Sequence, residues 1–231
     1  MKSRPSLATL VIVVSLAFAE GALAAPSEDK IMPPDQYSTE KARRLGITYQ
    51  KALRDLNAGI YHCLPWLEAA RGSIGFFRPK GATQDDRYLS LRVYIEQDPS
   101  PQFSALRTEG RASAMFSRYV GPMLRRMTAD PAVVNDPALD GFLVTLEWQK
   151  QAGSRAANPV HESIAIWMKK PEVADYLAGR TPITEVAARA QILGWDGETA
   201  LGSLQLAVWD DSFVSTYKVA NYQLEPGASC P

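Results

Sequence analysis

Apolar and polar positions alternate most regularly in "RYLSLRVYIEQ", residues 87–97. Leu89, Leu91, Val93 and Ile95 fall on one side, and Tyr88, Ser90, Arg92, Tyr94 and Glu96 on the other. A period of two is that of a β-strand with one face on a core and one in water. The same period recurs in "FLVTLEWQK", where Phe142, Val144, Leu146 and Trp148 share a face, and in "HESIAIWMKK", where Ile164, Ile166 and Met168 do. The small, polar stretch "QAGSRAANP" between these two predicts an antiparallel hairpin. A last strand is expected in "SLQLAVW", with Leu204, Leu206 and Val208 inward.

Elsewhere the spacing is helical. In "STEKARRLGITYQKALRDLNAG", Leu45, Tyr49, Ala52, Leu53 and Leu56 recur on one stripe, with Ser38 or Thr39 as N-cap and Gly59 as the stop. "IYHCLPWLEAAR" then suits a second short helix with Pro65 in its first turn, and "GSIGFFRPKGATQDD" suits a loop. A long helix is predicted from about Gln102 to Ala129, kinked or split at Gly121-Pro122. "PEVADYLAG" opens a helix at Pro171 and closes it at Gly179. "TPITEVAARAQILGW" is helical in period, but its β-branched residues also suit a strand, so residues 182–194 stay open between the two.

From Arg87 onward the order is strand, helix, strand, strand, helix, strand. That is the β-α-β-β-α-β order of ferredoxin-like folds, so the expected class is α+β, an antiparallel sheet with helices on one face. This domain spans residues 87–225. A helical extension, 37–72, and a lead-in rich in Pro and charge, 26–36, precede it, and a short tail, 226–231, follows.

Residues 1–25 have the layout of a secretory signal peptide. Lys2 and Arg4 form the positive region, "LATLVIVVSLAFA" the apolar region, and Ala22-Leu23-Ala24 the small-residue cleavage triplet. The mature chain is therefore expected in the periplasm or outside the cell, with no membrane span. Cleavage leaves 23 basic and 24 acidic residues, a balance that gives no electrostatic case for nucleic acid.

Candidate chemistry begins with "GIYHCLPW", which holds one of two cysteines, Cys63, beside one of two histidines, His62. A cysteine nucleophile needs a base within hydrogen-bond reach, and neighbours on a helix point about 100° apart. His161 would have to supply that base from a distant strand. A zinc site needs three or four ligands, and adjacent His and Cys lack the usual ligand spacing. Two cysteines in an exported chain are read most simply as one disulfide, Cys63–Cys230. Acidic groups at Asp85-Asp86, Asp196-Gly197-Glu198 and Asp210-Asp211 fall where turns use Asp for their own backbone, and no calcium-loop pattern accompanies them. No catalytic, cofactor or metal residue is assigned. Tyr88, Arg92, Tyr94 and Trp167 lie on the wet strand faces and form a candidate binding surface, with cover by the N-terminal helices the favoured alternative. The expected function is an exported, non-enzymatic binding or cell-envelope accessory protein with a protein or small-molecule partner. A hydrolase using carboxylates is the rival.

Overall fold

The computed structural model describes residues 26–64, 66–95, 101–150 and 160–208. In it Leu89, Leu91, Val93 and Ile95 are buried, and the strand they define, β3 (Tyr88–Ile95), organises the sheet. Two short strands, β1 (Leu67–Ala69) and β2 (Gly75–Phe77), both pair antiparallel with its outer edge. On its other side β3 runs parallel to β4 (Gly141–Gln149). Then β5 (His161–Lys169), β6 (Gln191–Asp196) and β7 (Thr199–Ser203) follow in antiparallel succession. Seven α-helices among the described residues complete an α+β fold around a seven-stranded mixed sheet.

The element order from Arg87 matches the expectation as far as β6, but a further strand, β7, follows it, and the sheet is neither wholly antiparallel nor built with the neighbours of a ferredoxin-like fold. β3, β4, β5 and β6 lie side by side in chain order. The cause is the β3–β4 connection. It contains α3 (Pro101–Ser104), the long α4 (Thr108–Met127) and α5 (Pro131–Asn135), and so returns the chain to the end where β3 began. A strand entered from that end is parallel to its predecessor. Element order does not say which strands become neighbours.

Helix α1 (Glu40–Thr48) is capped by Thr39, whose hydroxyl accepts from the Ala42 N–H, and a break at Tyr49 separates it from α2 (Gln50–Cys63). Gly59 does not stop α2 as expected. Ile60 and Cys63 continue its buried stripe one turn further, and that burial outweighs the roughly 1 kcal/mol a helical glycine costs. The second helix expected after Gly59 is absent. The chain instead forms β1, whose backbone groups pair with Val93–Ile95. Likewise α4 runs through Pro122, because Met115, Tyr119, Met123 and Met127 bury one continuous stripe on both sides of it. The ambiguous stretch contains both structures, α7 (Ile183–Arg189) and then β6. The final strand falls earlier than expected, at Thr199–Ser203. Leu204 is still buried beyond it, and Leu206 and Val208 still pack on the core, without strand pairing.

All of this apolar surface joins one core on one side of the sheet, with Phe116, Val120 and Leu124 of α4 over Leu91, Val144 and Ile166. The N-terminal helices belong to this same layer. Leu45, Leu53 and Ile60 enter the core, the Tyr37 hydroxyl accepts from the Phe76 N–H at 3.2 Å, and the Tyr49 ring lies 6.1 Å from that of Phe76. The Tyr49 hydroxyl donates to Asp136 at 2.8 Å, tying α2 to the loop before β4. Burial, then the Asp136 hydrogen bond and charge, push this phenol up to about 12. Helix α6 (Lys170–Leu177) sits on the same side, its Tyr176 ring 5.6 Å from the Arg125 guanidinium of α4. The expectation that the N-terminal helices cover the outer face of the sheet is therefore wrong: they share the core side with α4.

Cys63 ends α2 and is 7 % exposed. Cys230, the expected signal peptide and the loop 151–159 lie outside the described residues. Among the described residues no helix is long and apolar enough to cross a membrane.

Candidate functional site

Strand pleating sends every second side chain of β3–β6 away from the helices. On that outer face the strand register aligns Ser90, Leu143, Trp167 and Gln191 in one row. Arg92, Thr145, Ala165 and Leu193 form the next, and Tyr94, Glu147, Ser163 and Trp195 the one after. Ser90, Leu143 and Ala165 are buried and make a low floor, while Tyr88, Tyr94, Trp167 and Trp195 stand half-buried around it.

At one end Tyr88 and Trp167 meet edge to face, ring centroids 5.0 Å apart and planes at 83°. Gly141, the cross-strand partner of Tyr88, makes this possible. A Cβ there would strike the Tyr88 ring and the Met168 carbonyl. Burial, and then the nearby carboxylates of Asp86, Asp140 and Glu172, push the Tyr88 phenol up from its ordinary value.

At the other end Arg92 donates through Nη2 to Glu147 Oε2 at 2.6 Å. The second oxygen of Glu147 faces His161 Nδ1 at 3.2 Å, and the His161 ring lies 5.1 Å from that of Tyr94. His161 Nε2 is buried and has no hydrogen-bond partner among the described residues. The four residues singled out from the sequence thus share one face in two groups, Tyr88 with Trp167 and Arg92 with Tyr94. Glu147, His161 and Trp195 were missed. Carrying the period of two from Trp148 and Ile164 onto the odd positions of β4 and β5 would have placed the first two.

Two other polar groups are structural. Arg111 on α4 grips the buried Glu162 of β5 with Nε to Oε2 at 2.6 Å and Nη2 to Oε1 at 2.5 Å. Trp148 Nε1 and the Thr108 hydroxyl also donate to this carboxylate, at 3.1 and 3.2 Å. Near the start of β3, the Arg87 guanidinium donates to the Thr39 hydroxyl at 2.7 Å and pairs with Asp85, while its N–H donates to Asp140 at 2.6 Å. Partial burial works against the Asp85 carboxylate, but hydrogen bonds from Thr39 and Arg87 hold it below its ordinary value. Of the other acidic turn residues, Asp196 pairs with Lys150 at 2.6 Å, and Asp210 and Asp211 lie outside the described residues. Cys63 belongs to the helical layer and His161 to the opposite face, so the two are not brought together. Among the described residues no three His, Cys, Asp or Glu side chains group as a metal site.

Comparison of the chain with protein-family models, with curated proteins and with solved structures yields no match.

Proposed function

We propose that this is an exported, non-enzymatic binding protein that holds a protein partner on the outer face of its sheet, opposite the helical layer. The observation that carries this reading is the make-up of that face. Tyr88, Tyr94, Trp167 and Trp195 occupy it with Arg92, and no helix among the described residues packs over them. A sheet face left to water is ordinarily polar. Aromatic residues and arginine instead dominate the buried centres of protein interfaces, where they contribute large rigid contact area at low entropic cost.

Photo-crosslinking residues at positions 94 and 167 should capture the same partner in the native compartment, whereas positions 43 and 51, on the exposed side of the helical layer, should not. That partner, purified, should bind the wild type and lose about tenfold or more in affinity to Trp167→Ala. Equal capture from all four positions, or unchanged affinity for Trp167→Ala, would overturn the proposal.

Export rests on the layout of residues 1–25, and in an oxidising compartment Cys63 is expected to be bridged to Cys230. Non-reducing peptide mapping of the exported protein should recover one cross-linked pair. Recovery of alkylated Cys63 without reduction would eliminate the bridge. Closing so long a loop stabilises by up to about 5 kcal/mol, so reduction should lower the melting temperature while leaving a core of this size folded.

A further inference from the structure

The outer face is built around a missing side chain at the end where β3 and β4 begin and β5 stops. Gly141 is the cross-strand neighbour of both Tyr88 and Lys169, and the Tyr88 ring fills the space that a Cβ there would take. The ring thereby reaches Trp167, and the two half-buried aromatics meet as nearly perpendicular walls, with the buried Leu143 in the same row as Trp167. No lysine or arginine among the described residues lies over either ring. Residues 96–100 and 151–159 join these strands at the opposite end of the sheet.

Carboxylates edge the same corner. Asp140, just before Gly141, accepts from the Arg87 N–H at 2.6 Å at the start of β3. Glu172 accepts from the Lys169 N–H at 3.3 Å, in the row of Gly141 and Tyr88. Asp86 lies two residues before Tyr88 in the chain, and with Asp140 and Glu172 it adds to the effect of burial in raising the Tyr88 phenol. Of the cations at this end, Lys41 pairs with Asp140 at 3.0 Å, Arg87 pairs with Asp85, and Lys169 is exposed. The face of an aromatic ring is the negative side of its quadrupole, so rings and carboxylates favour the same ligand charge. Carboxylates repel an anion and add nothing for an apolar group, whereas a cation gains from both. Arginine suits such a corner best. Its planar, weakly hydrated guanidinium stacks on aromatic faces and keeps donors at its edge for a carboxylate.

We propose that the corner formed by Tyr88 and Trp167, edged by Asp86, Asp140 and Glu172, receives an arginine side chain of the protein partner. The guanidinium lies against the rings and directs its outer donors to the carboxylates. This rests on the outer face being a binding surface and names one group that the surface reads.

N-acetyl-arginine amide is the probe, and N-acetyl-citrulline amide is its uncharged counterpart of nearly the same shape. Binding is read from the indole N–H signals by NMR, with Trp167→Phe and Trp195→Phe to assign the two on this face. The arginine probe should shift the Trp167 signal saturably and leave that of Trp195, at the other end of the face, in place. The citrulline probe should bind at least about fivefold more weakly. Asp86→Asn combined with Glu172→Gln, which keeps an acceptor for the Lys169 N–H, should weaken the arginine probe by about fivefold and leave the citrulline probe unchanged. Equal binding of the two probes to the wild type overturns the proposal, a comparison that needs no variant to fold. So does an unmoved Trp167 signal, an undiminished affinity in the double variant, or tighter binding of N-acetyl-lysine amide than of the arginine probe. Should capture from position 167 persist when this test fails, the binding face stands and only its arginine seat is lost.

Discussion

Leu91→Asp and Val93→Asp are each expected to leave the purified protein unfolded at room temperature, whereas Arg92→Gln, between them, should cost no more than about 1 kcal/mol. Leu91 and Val93 are 0 % exposed and belong to the apolar core cluster that α4 shares. Each change removes about 2 kcal/mol of apolar burial and adds the several kcal/mol of desolvating an unpaired charge or neutralising it. The sum approaches the whole stability of a typical domain. Arg92 points the other way, into water, and loses one exposed ion pair. Urea titrations followed by far-UV circular dichroism would check this. Folded, cooperative Leu91→Asp protein would mean that β3 does not carry the core.

Glu162→Leu should destabilise the protein by about 3–5 kcal/mol, more than its burial among Ile164, Ile166 and Met168 suggests for an apolar replacement. Glu162 is 1 % exposed, and the cost arises at its partners. Arg111 is left as a buried cation, and the Trp148 and Thr108 donors lose their acceptor. The companion change Arg111→Met removes that stranded charge, so Glu162→Leu with Arg111→Met should recover most of the loss. Additive losses in the double variant would show that packing, not the orphaned guanidinium, sets the cost.

Glu162 also shows what the sequence made legible and what it did not. The period of two placed β3, β4 and β5 and their core residues, because a half-buried strand must alternate whatever its neighbours are. It could not reveal that a glutamate on the core face of β5 is answered by an arginine on α4, since nothing local links positions 111 and 162. The short strands β1 and β2 were missed for a related reason. Three residues carry no period of their own, and they form strands only because β3 offers an open edge. The outer face of the sheet was partly legible. Tyr88, Arg92, Tyr94 and Trp167 followed from alternation, but the side on which the N-terminal helices settle is decided by Leu45, Leu53 and Ile60 joining the common core. His161 entered the sequence reasoning only as a distant partner for Cys63, and its real partner is the diagonal neighbour Glu147 on the adjoining strand.

The parallel pairing of β3 with β4 has a kinetic consequence. Its register joins Tyr88 to Gly141 and Ile95 to Trp148, partners about fifty residues apart, so the intervening chain must be ordered before this ladder can close. By contrast β6 and β7 turn through Gly197 and Glu198 alone and can zip locally. The nascent sheet should therefore grow from its C-terminal strands toward β3, with the N-terminal helices docking last. Until that closure, the apolar edge of β4 stands uncovered, and this is the interval in which the chain is most exposed to aggregation or to capture by a chaperone.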